Sequence, residues 1–518
     1  MENARIYNKN KKSEEKKLRM QKLKKRAIAC MAICALLSGC ASQNKQNDVQ
    51  DNVENEQLKV TTITEVFGDG QKPSAVALEY PNAIDASSLS TDDFEIENQT
   101  ITDVYTNSEA ALTDSNVSGN YVILKLAYEN TVSADSMGGG AGRNGGQRPD
   151  DDQSAQNGQK EEKMQNGDSG QKVDDAQSDN TSGQPDKDGG EVDGGKLQGG
   201  ERDAGADGGQ GRNMGGGKSS ETVSTLSVVQ KGEVAGTDGT IYPASETAVE
   251  SSEQIDLVVQ DFQLLEYTDS NGNTIPYSIY LPEDYDESKK YPLVFFVADA
   301  SANGDNTTRN ITQGNGATIW ATPEEQAKHE CIVVSPQYTN TLIDSIGALV
   351  TDDNVWSDGL TLVYNMLQYV IDEYSVDENR IYGTGQSQGC MTNIALSDKY
   401  PDLFAAQFLV AGQWNVEEMA AMKDKNLWIA VCEGDTKAYP GMNEATEKWE
   451  SLGSSVARSD MWDSTSTAEQ FDELVKQMED QNCKINYTVF EGGSHTYTWS
   501  VAYNIEGIRD WLFAQTKE

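Results

Sequence analysis

Arg380-Ile381-Tyr382-Gly383-Thr384-Gly385-Gln386-Ser387-Gln388-Gly389 is the stretch that decides the fold. An apolar run, 380–384, leads into Gly385-Gln386-Ser387-Gln388-Gly389, and a helical stretch, 391–399, follows. G-x-S-x-G is a weak signal by itself in a chain with 46 glycines; between a strand and a helix it gains meaning. The glycines permit a turn too crowded for Cβ atoms. Such a turn lifts the Ser387 hydroxyl above a sheet and aims the partly positive start of the next helix at the same point. The competing reading is an ordinary strand-to-helix turn.

Outward from this motif, short apolar runs recur at 293–297, 332–334, 405–410, 428–431 and 487–490. They are rich in branched and aromatic residues. Helical stretches lie between them: Leu360, Val363, Leu367 and Val370 fall at helical spacing, and 499–514 forms another amphipathic segment. Strands apolar on both faces and alternating with helices predict a mostly parallel sheet covered on both sides, an α/β module over 261–518. Runs 262–267 and 275–281 flank Asn271-Gly272, a hairpin signal, so an antiparallel hairpin opens the module.

A serine hydroxyl needs an imidazole base to attack, and the chain has only two His. In α/β-hydrolases the chain order is nucleophile, acid, His. His329 precedes Ser387 in a polar stretch and reads as an exposed surface residue. His495 follows the last strand in Glu491-Gly492-Gly493-Ser494-His495, ahead of the terminal helix, and is the expected base. The run 428–431 leads into Cys432-Glu433-Gly434-Asp435, so Asp435 is the expected acid. Glu433 is its close rival, and Asp460 and Asp463, in a loop that could cap the site, are lesser ones. An oxyanion hole needs two backbone N–H donors. Gln388 is one; by analogy the other is Ala300, with Ser301 next, in the loop Ala298-Asp299-Ala300-Ser301. This chemistry calls for no metal or organic cofactor.

Upstream the texture differs. Runs at 60–67, 75–80, 101–105 and 121–128, punctuated by Gly, Pro, Asn and Asp, predict a small antiparallel β domain. Strand signals resume at 223–230 and 255–259. Between them, residues 134–218 hold half of the glycines and almost no large apolar residue, the composition of a disordered segment. The simplest reading is one β-sandwich, 58–260, with a long loop insertion; a linker between two pieces is the alternative. The formal net charge of −43 argues against nucleic acid as a partner, since phosphate binding needs a Lys/Arg surface. It argues equally against an anionic membrane patch on the folded part.

Residues 1–26 break this acidity, with eleven Lys/Arg against three Asp/Glu. The apolar run 27–37 follows, too short for a comfortable membrane span, then Ser38-Gly39-Cys40. Leu37-Ser38-Gly39-Cys40 resembles a bacterial lipobox. The resemblance implies a signal peptide, 1–39, cleaved before Cys40, and a lipid on the Cys40 sulfur. Residues 40–57 would then be a flexible tether, and the location extracytoplasmic, held at the cell membrane by the lipid anchor. An ordinary signal peptide and an uncleaved anchor are the alternatives. Of the remaining Cys, Cys331 and Cys432 sit in strand-like runs and read as buried free thiols.

The module 261–518 resembles the α/β-hydrolases related to polyhydroxybutyrate depolymerases, feruloyl and acetyl esterases, and prolyl-oligopeptidase-type enzymes. Besides the motif above, Tyr400-Pro401-Asp402-Leu403-Phe404, Val410-Ala411-Gly412-Gln413-Trp414 and Gly493-Ser494-His495 carry the likeness. The β region resembles, more weakly, the immunoglobulin-like domain that precedes some such esterases. The resemblance implies a serine esterase with Ser387, Asp435 and His495 as triad; the expected partner is a small-molecule or polysaccharide-linked ester, and the expected state a monomer. A serine peptidase and a non-catalytic glycan-binding lipoprotein are the competing readings. Two departures stand out. Ala298-Asp299 replaces the family's His-Gly or His-Asp at the oxyanion loop, which puts loop support in question. Cys390 replaces a frequent Gly after the motif, where a larger side chain would crowd the helix–sheet contact.

Overall fold

The computed structural model describes residues 58–113, 115–128, 212–213 and 225–517. The expected signal segment, Cys40 and the tether lie outside the described residues, as does the Gly-rich insert apart from 212–213. The compact unit is Leu58–Glu518.

The first layer pair is a β-sandwich. One sheet has the order β8-β1-β2-β5-β4, from Glu253–Asp256 (β8), Lys59–Phe67 (β1), Gly70–Glu79 (β2), Tyr121–Leu126 (β5) and Ile101–Asn107 (β4). The other has the order β7-β6-β3, from Val249–Glu250 (β7), Ser227–Gln230 (β6) and Phe94–Ile96 (β3). Alternation explains the pairing: Val76 and Leu78 of β2 and Val122 and Leu124 of β5 point inward to meet Phe94, Ile96 and Val228. Strands β6 to β8, beyond residue 225, pair with β3 and β1 in these two sheets. The run 255–259 is only partly strand. Val258 takes φ +66 after β8 and opens a 3-10 turn, Val259–Asp261, that leads into the next module.

The α/β module has a sheet of order β16-β17-β15-β14-β13-β11-β12-β10-β9. These are Val456–Arg458 (β16), Ile485–Phe490 (β17), Leu427–Cys432 (β15), Ala406–Val410 (β14), Val376–Gln386 (β13), Tyr291–Val297 (β11), Ile332–Pro336 (β12), Thr274–Tyr280 (β10) and Gln263–Thr268 (β9). Strands β11 to β17 are mutually parallel, and β9–β10 is the expected antiparallel hairpin. Its turn has Gly272 at φ +87, and the Asp269 carboxylate accepts the N–H groups of Asn271 and Asn273. Arg212–Asn213, inside the expected insert, adds two residues antiparallel to β9.

Burial on both faces is visible along β11. Leu293, Phe295 and Val297 join the core beneath helix Asp358–Glu373 (α3), while Val294 and Phe296 join the opposite core with Trp320 and Trp428. The smaller helices Pro323–Lys328 (α1) and Asn340–Ile346 (α2) flank β12. Helices Gln388–Lys399 (α4), Ala438–Ser451 (α5) and Ala468–Glu479 (α6) follow β13, β15 and β16. The segment 499–514 is not one helix. It divides into His495–Ala502 (α7) and Glu506–Phe513 (α8) around Tyr503-Asn504-Ile505. His495 is the first residue of α7 and lies ahead of the terminal helix α8, as expected. Among the described residues, no helix is long and apolar enough to cross a membrane.

Candidate active site

The G-x-S-x-G turn sits where β13 ends and α4 begins. Ser387 takes φ 53, ψ −117, a strained conformation for a residue with a side chain. The crowding expected of the turn is present: a Cβ on Gly389 would lie 1.7 Å from Val297 O, and one on Gly385 would lie 2.6 Å from the same oxygen. Cys390 is fully buried and finds its room against Gly412, where a Cβ would meet Cys390 Sγ at 2.6 Å.

Three distant segments meet at this turn. His495 Nε2 lies 2.8 Å from Ser387 Oγ, and His495 Nδ1 lies 2.5 Å from Asp435 Oδ2. Asp435 is buried just beyond β15, and its Oδ1 accepts the N–H groups of Lys437 and Ala438 at 3.0 and 2.9 Å. Burial pushes the Asp435 carboxyl up. The hydrogen bond and charge of His495, with the two backbone donors, outweigh that and hold it below the ordinary aspartate value. The loops carrying acid and base pack backbone to backbone, since a Cβ on Gly434 would stand 2.0 Å from Gly493 O. Ser494 caps α7 by accepting Tyr497 N–H, and the His495 and Trp499 rings stand nearly perpendicular with centroids 5.3 Å apart.

The rivals stand elsewhere. Glu433 is exposed and accepts Gly492 N–H at 3.2 Å, bracing the loop that delivers His495. Asp460 and Asp463 are exposed, and Asp463 Oδ1 accepts from Thr465. His329 is half-buried rather than exposed: it stacks on Phe513 and pairs with Asp510 at 2.8 Å. With Glu325 these two form the one group of metal-capable side chains among the described residues, ligand atoms within 4.8 Å. Glu325 is already held by Arg509, and none of the group touches Ser387.

Gln388 opens α4 and Ala300 opens the 3-10 turn Ala300–Ala302, so neither N–H has an acceptor within its own turn. Ser301 N–H, the second choice for a donor in that loop, is committed to Asp299 Oδ1 at 2.7 Å. The support missing from the sequence reading comes from side-chain amides. Asn303 and Gln388 exchange two hydrogen bonds of 3.0 Å, tying the oxyanion loop to the residue after the nucleophile. Gln386 Nε2 donates to Asp299 Oδ2 at 3.3 Å and to Gln313 Oε1 at 2.8 Å. The only sequence hint is the polar character of Gln386 and Gln388, which the fold buries, and of the half-buried Asn303. A cleft beside this network is lined by Ala298, Asn303, Tyr338, Leu349 and Gln388. The arrangement brings a serine hydroxyl, an imidazole and a carboxylate into one hydrogen-bonded row at the start of α4. That set suits acyl transfer.

Comparison with known proteins agrees with both modules. Residues 59–243 match the esterase Ig-like N-terminal domain, and residues 360–517 match the prolyl oligopeptidase family. Feruloyl esterase B of Talaromyces stipitatus is 34% identical over 105 residues, 20% of this chain and 28% of the relative. Acetylxylan esterase A of Aspergillus ficuum is 31% identical over 98 residues, 18% of this chain and 29% of the relative. The chain thus spans less than a third of the length of these curated relatives. A solved structure of a thermostable esterase superposes with TM-score 0.60 at 23% identity, covering 89% of this chain and all of that one. The fold is therefore that of an α/β-hydrolase preceded by an immunoglobulin-like sandwich.

Proposed function

We propose that this chain, an α/β-hydrolase fold behind an esterase-type immunoglobulin-like domain, is a serine esterase. The observation that carries the reading is the contiguous set Ser387 Oγ–His495–Asp435, at 2.8 and 2.5 Å. Ser387 Oγ bonds to the ester carbonyl carbon while His495 Nε2 takes its proton. Asp435 holds the ring and stabilises the imidazolium. The oxyanion lies against the N–H groups of Gln388 and Ala300. Collapse expels the alcohol, which takes the proton from His495. Water, deprotonated by His495, then frees the acid and regenerates Ser387.

The relatives named for feruloyl and acetylxylan esters suggest a small acyl group carried on a sugar or polysaccharide. The lipobox-like Leu37-Ser38-Gly39-Cys40 adds an extracytoplasmic site of action, with a lipid on Cys40 as the membrane anchor. Fluorophosphonate labelling and turnover of p-nitrophenyl acyl esters test the esterase reading. Both should vanish in Ser387→Ala, and labelling that persists there would sink it. The match to the prolyl oligopeptidase family favours a second reading, a serine peptidase using the same triad. Side-by-side assays decide: turnover of short peptide amides without a preference for esters would reverse the ranking.

A further inference from the structure

The β-sandwich touches the α/β module at a point that bears on catalysis. The β1–β2 hairpin ends in Phe67-Gly68-Asp69-Gly70, and this tip sits between α7 and the loop Thr312-Gln313-Gly314. A Cβ on Gly68 would lie 2.5 Å from Ser500 Cα, in the helix that His495 begins. A Cβ on Gly314 would lie 3.1 Å from Gly68 O and 3.6 Å from Gln386 Nε2, and one on Gly70 3.6 Å from Gln313 O. The contact is thus backbone against backbone, with glycine on both sides. Glycine is also required for conformation at Gly70, which takes φ +118.

The tip is stiff. The Asp69 carboxylate pairs with Lys72 and accepts from Tyr128 OH at 3.0 Å, and Tyr128 stacks on Phe67 with centroids 4.0 Å apart. From the loop that it abuts, hydrogen bonds continue inward. Gln313 Oε1 accepts from Gln386 Nε2, Gln386 Nε2 also reaches Asp299 Oδ2, and Asp299 Oδ1 accepts Ser301 N–H. Asp299 follows Ala298, the residue at which the sequence departs from the pattern of related oxyanion loops.

We propose that the hairpin tip of the β-sandwich is a positioning element for the oxyanion loop, acting through Gln313, Gln386 and Asp299. The immunoglobulin-like domain is then a working part of the hydrolase, neither a spacer nor a lid. Gln313 and Gln386 are positioning residues: they touch no reacting atom but fix Asp299, whose carboxylate sets the turn that presents Ala300 N–H. This proposal rests on the esterase reading.

The test uses the full chain with p-nitrophenyl acetate and with phenylboronic acid, whose tetrahedral adduct mimics the oxyanion. In Gly68→Ala the added methyl pushes the tip off α7; in Gln313→Met the shape is kept and the acceptor is lost. Both should lose kcat by about 10- to 100-fold, the scale of a misplaced catalytic group, with KM within about twofold. Boronate affinity should fall in parallel. Gln313→Glu restores an acceptor for Gln386 and should recover kcat. Full kcat in both Gly68→Ala and Gln313→Met, with a loss of Tm alone, overturns the relay. A wild-type chain inert toward all esters overturns the esterase reading instead, so the two failures are distinguishable.

Discussion

Gly412 and Cys390 occupy a single side-chain volume between β14 and α4. A Cβ added to Gly412 would meet Cys390 Cβ at 2.5 Å and Sγ at 2.6 Å, and Ser387 O at 3.1 Å. The crowding expected from Cys390 is thus relieved across the helix–sheet contact by a missing side chain. Gly412→Ala should destabilise the protein by about 1–3 kcal/mol, the range for overpacking a filled core. Cys390→Gly should cost about 1 kcal/mol as a helix glycine, yet combined with Gly412→Ala it should recover part of that loss. Urea unfolding of the four proteins reads the coupling, and strictly additive losses would show that the two sites do not share space.

Asp435 orients His495, and the same hydrogen bonds lower its own pKa. Asp435→Asn should reduce kcat on p-nitrophenyl acetate by about four orders of magnitude, because an amide does not hold the imidazole in the productive tautomer. KM should change little. The acid is also linked to stability. Its folded value lies below the unfolded one, so the contribution is complete above the unfolded pKa and disappears as pH falls through the folded value. Wild type should therefore lose more Tm than Asp435→Asn on acidification below about pH 4, where an unfolded aspartate titrates. Parallel Tm curves would contradict the linkage.

The legible parts of the fold were those with a local steric or chemical cause. Gly385 and Gly389 announced the turn because no side chain fits beside Val297 O. His495 was identifiable because the chain has only two His and one of them follows the last strand. The break at Tyr503-Asn504-Ile505 had no such local cause. Asn504 is held by Asn315 at 2.7 Å and the Tyr503 carbonyl by Arg509 at 2.7 Å, contacts that an apolar periodicity does not encode. The Asn303–Gln388 pair joins residues 85 apart, and strands as short as β16 leave too few residues for an alternation to register.

Asp398, in the last turn of α4, has neither carboxylate oxygen hydrogen-bonded among the described residues. Burial pushes its carboxyl up to about 8, and the nearby charge of Glu418 adds to this. Because the folded value is raised, the group contributes most below its unfolded pKa. That contribution is lost as pH climbs from about 4 to about 8. Asp398→Asn does not titrate and should stabilise the protein more at pH 9 than at pH 4.5. Thermal melts at the two values decide, and an equal gain at both would assign the benefit to something other than the buried charge.

Arg509 and Glu325 form an ion pair that is almost wholly buried, at 7% and 3% exposure, with Nε 2.8 Å from Oε2. It ties α1 to α8, and Arg509 Nη1 donates to Tyr503 O in the break between α7 and α8. One Glu325 oxygen, Oε1, has no hydrogen-bond partner among the described residues, so the carboxylate depends on Arg509 for its compensation. Arg509→Met strands that charge and should destabilise the protein by about 3–5 kcal/mol. Replacing both partners, as Arg509→Met with Glu325→Leu, removes the desolvation penalty as well as the attraction and should restore most of the loss. Neither residue contacts the triad, so kcat on p-nitrophenyl acetate at 25 °C should stay within about twofold in the double variant. Denaturant unfolding with the activity assay separates the outcomes. A double variant no more stable than Arg509→Met would mean that the hydrogen bond to Tyr503 O, and not the ion pair, holds the terminal helices in place.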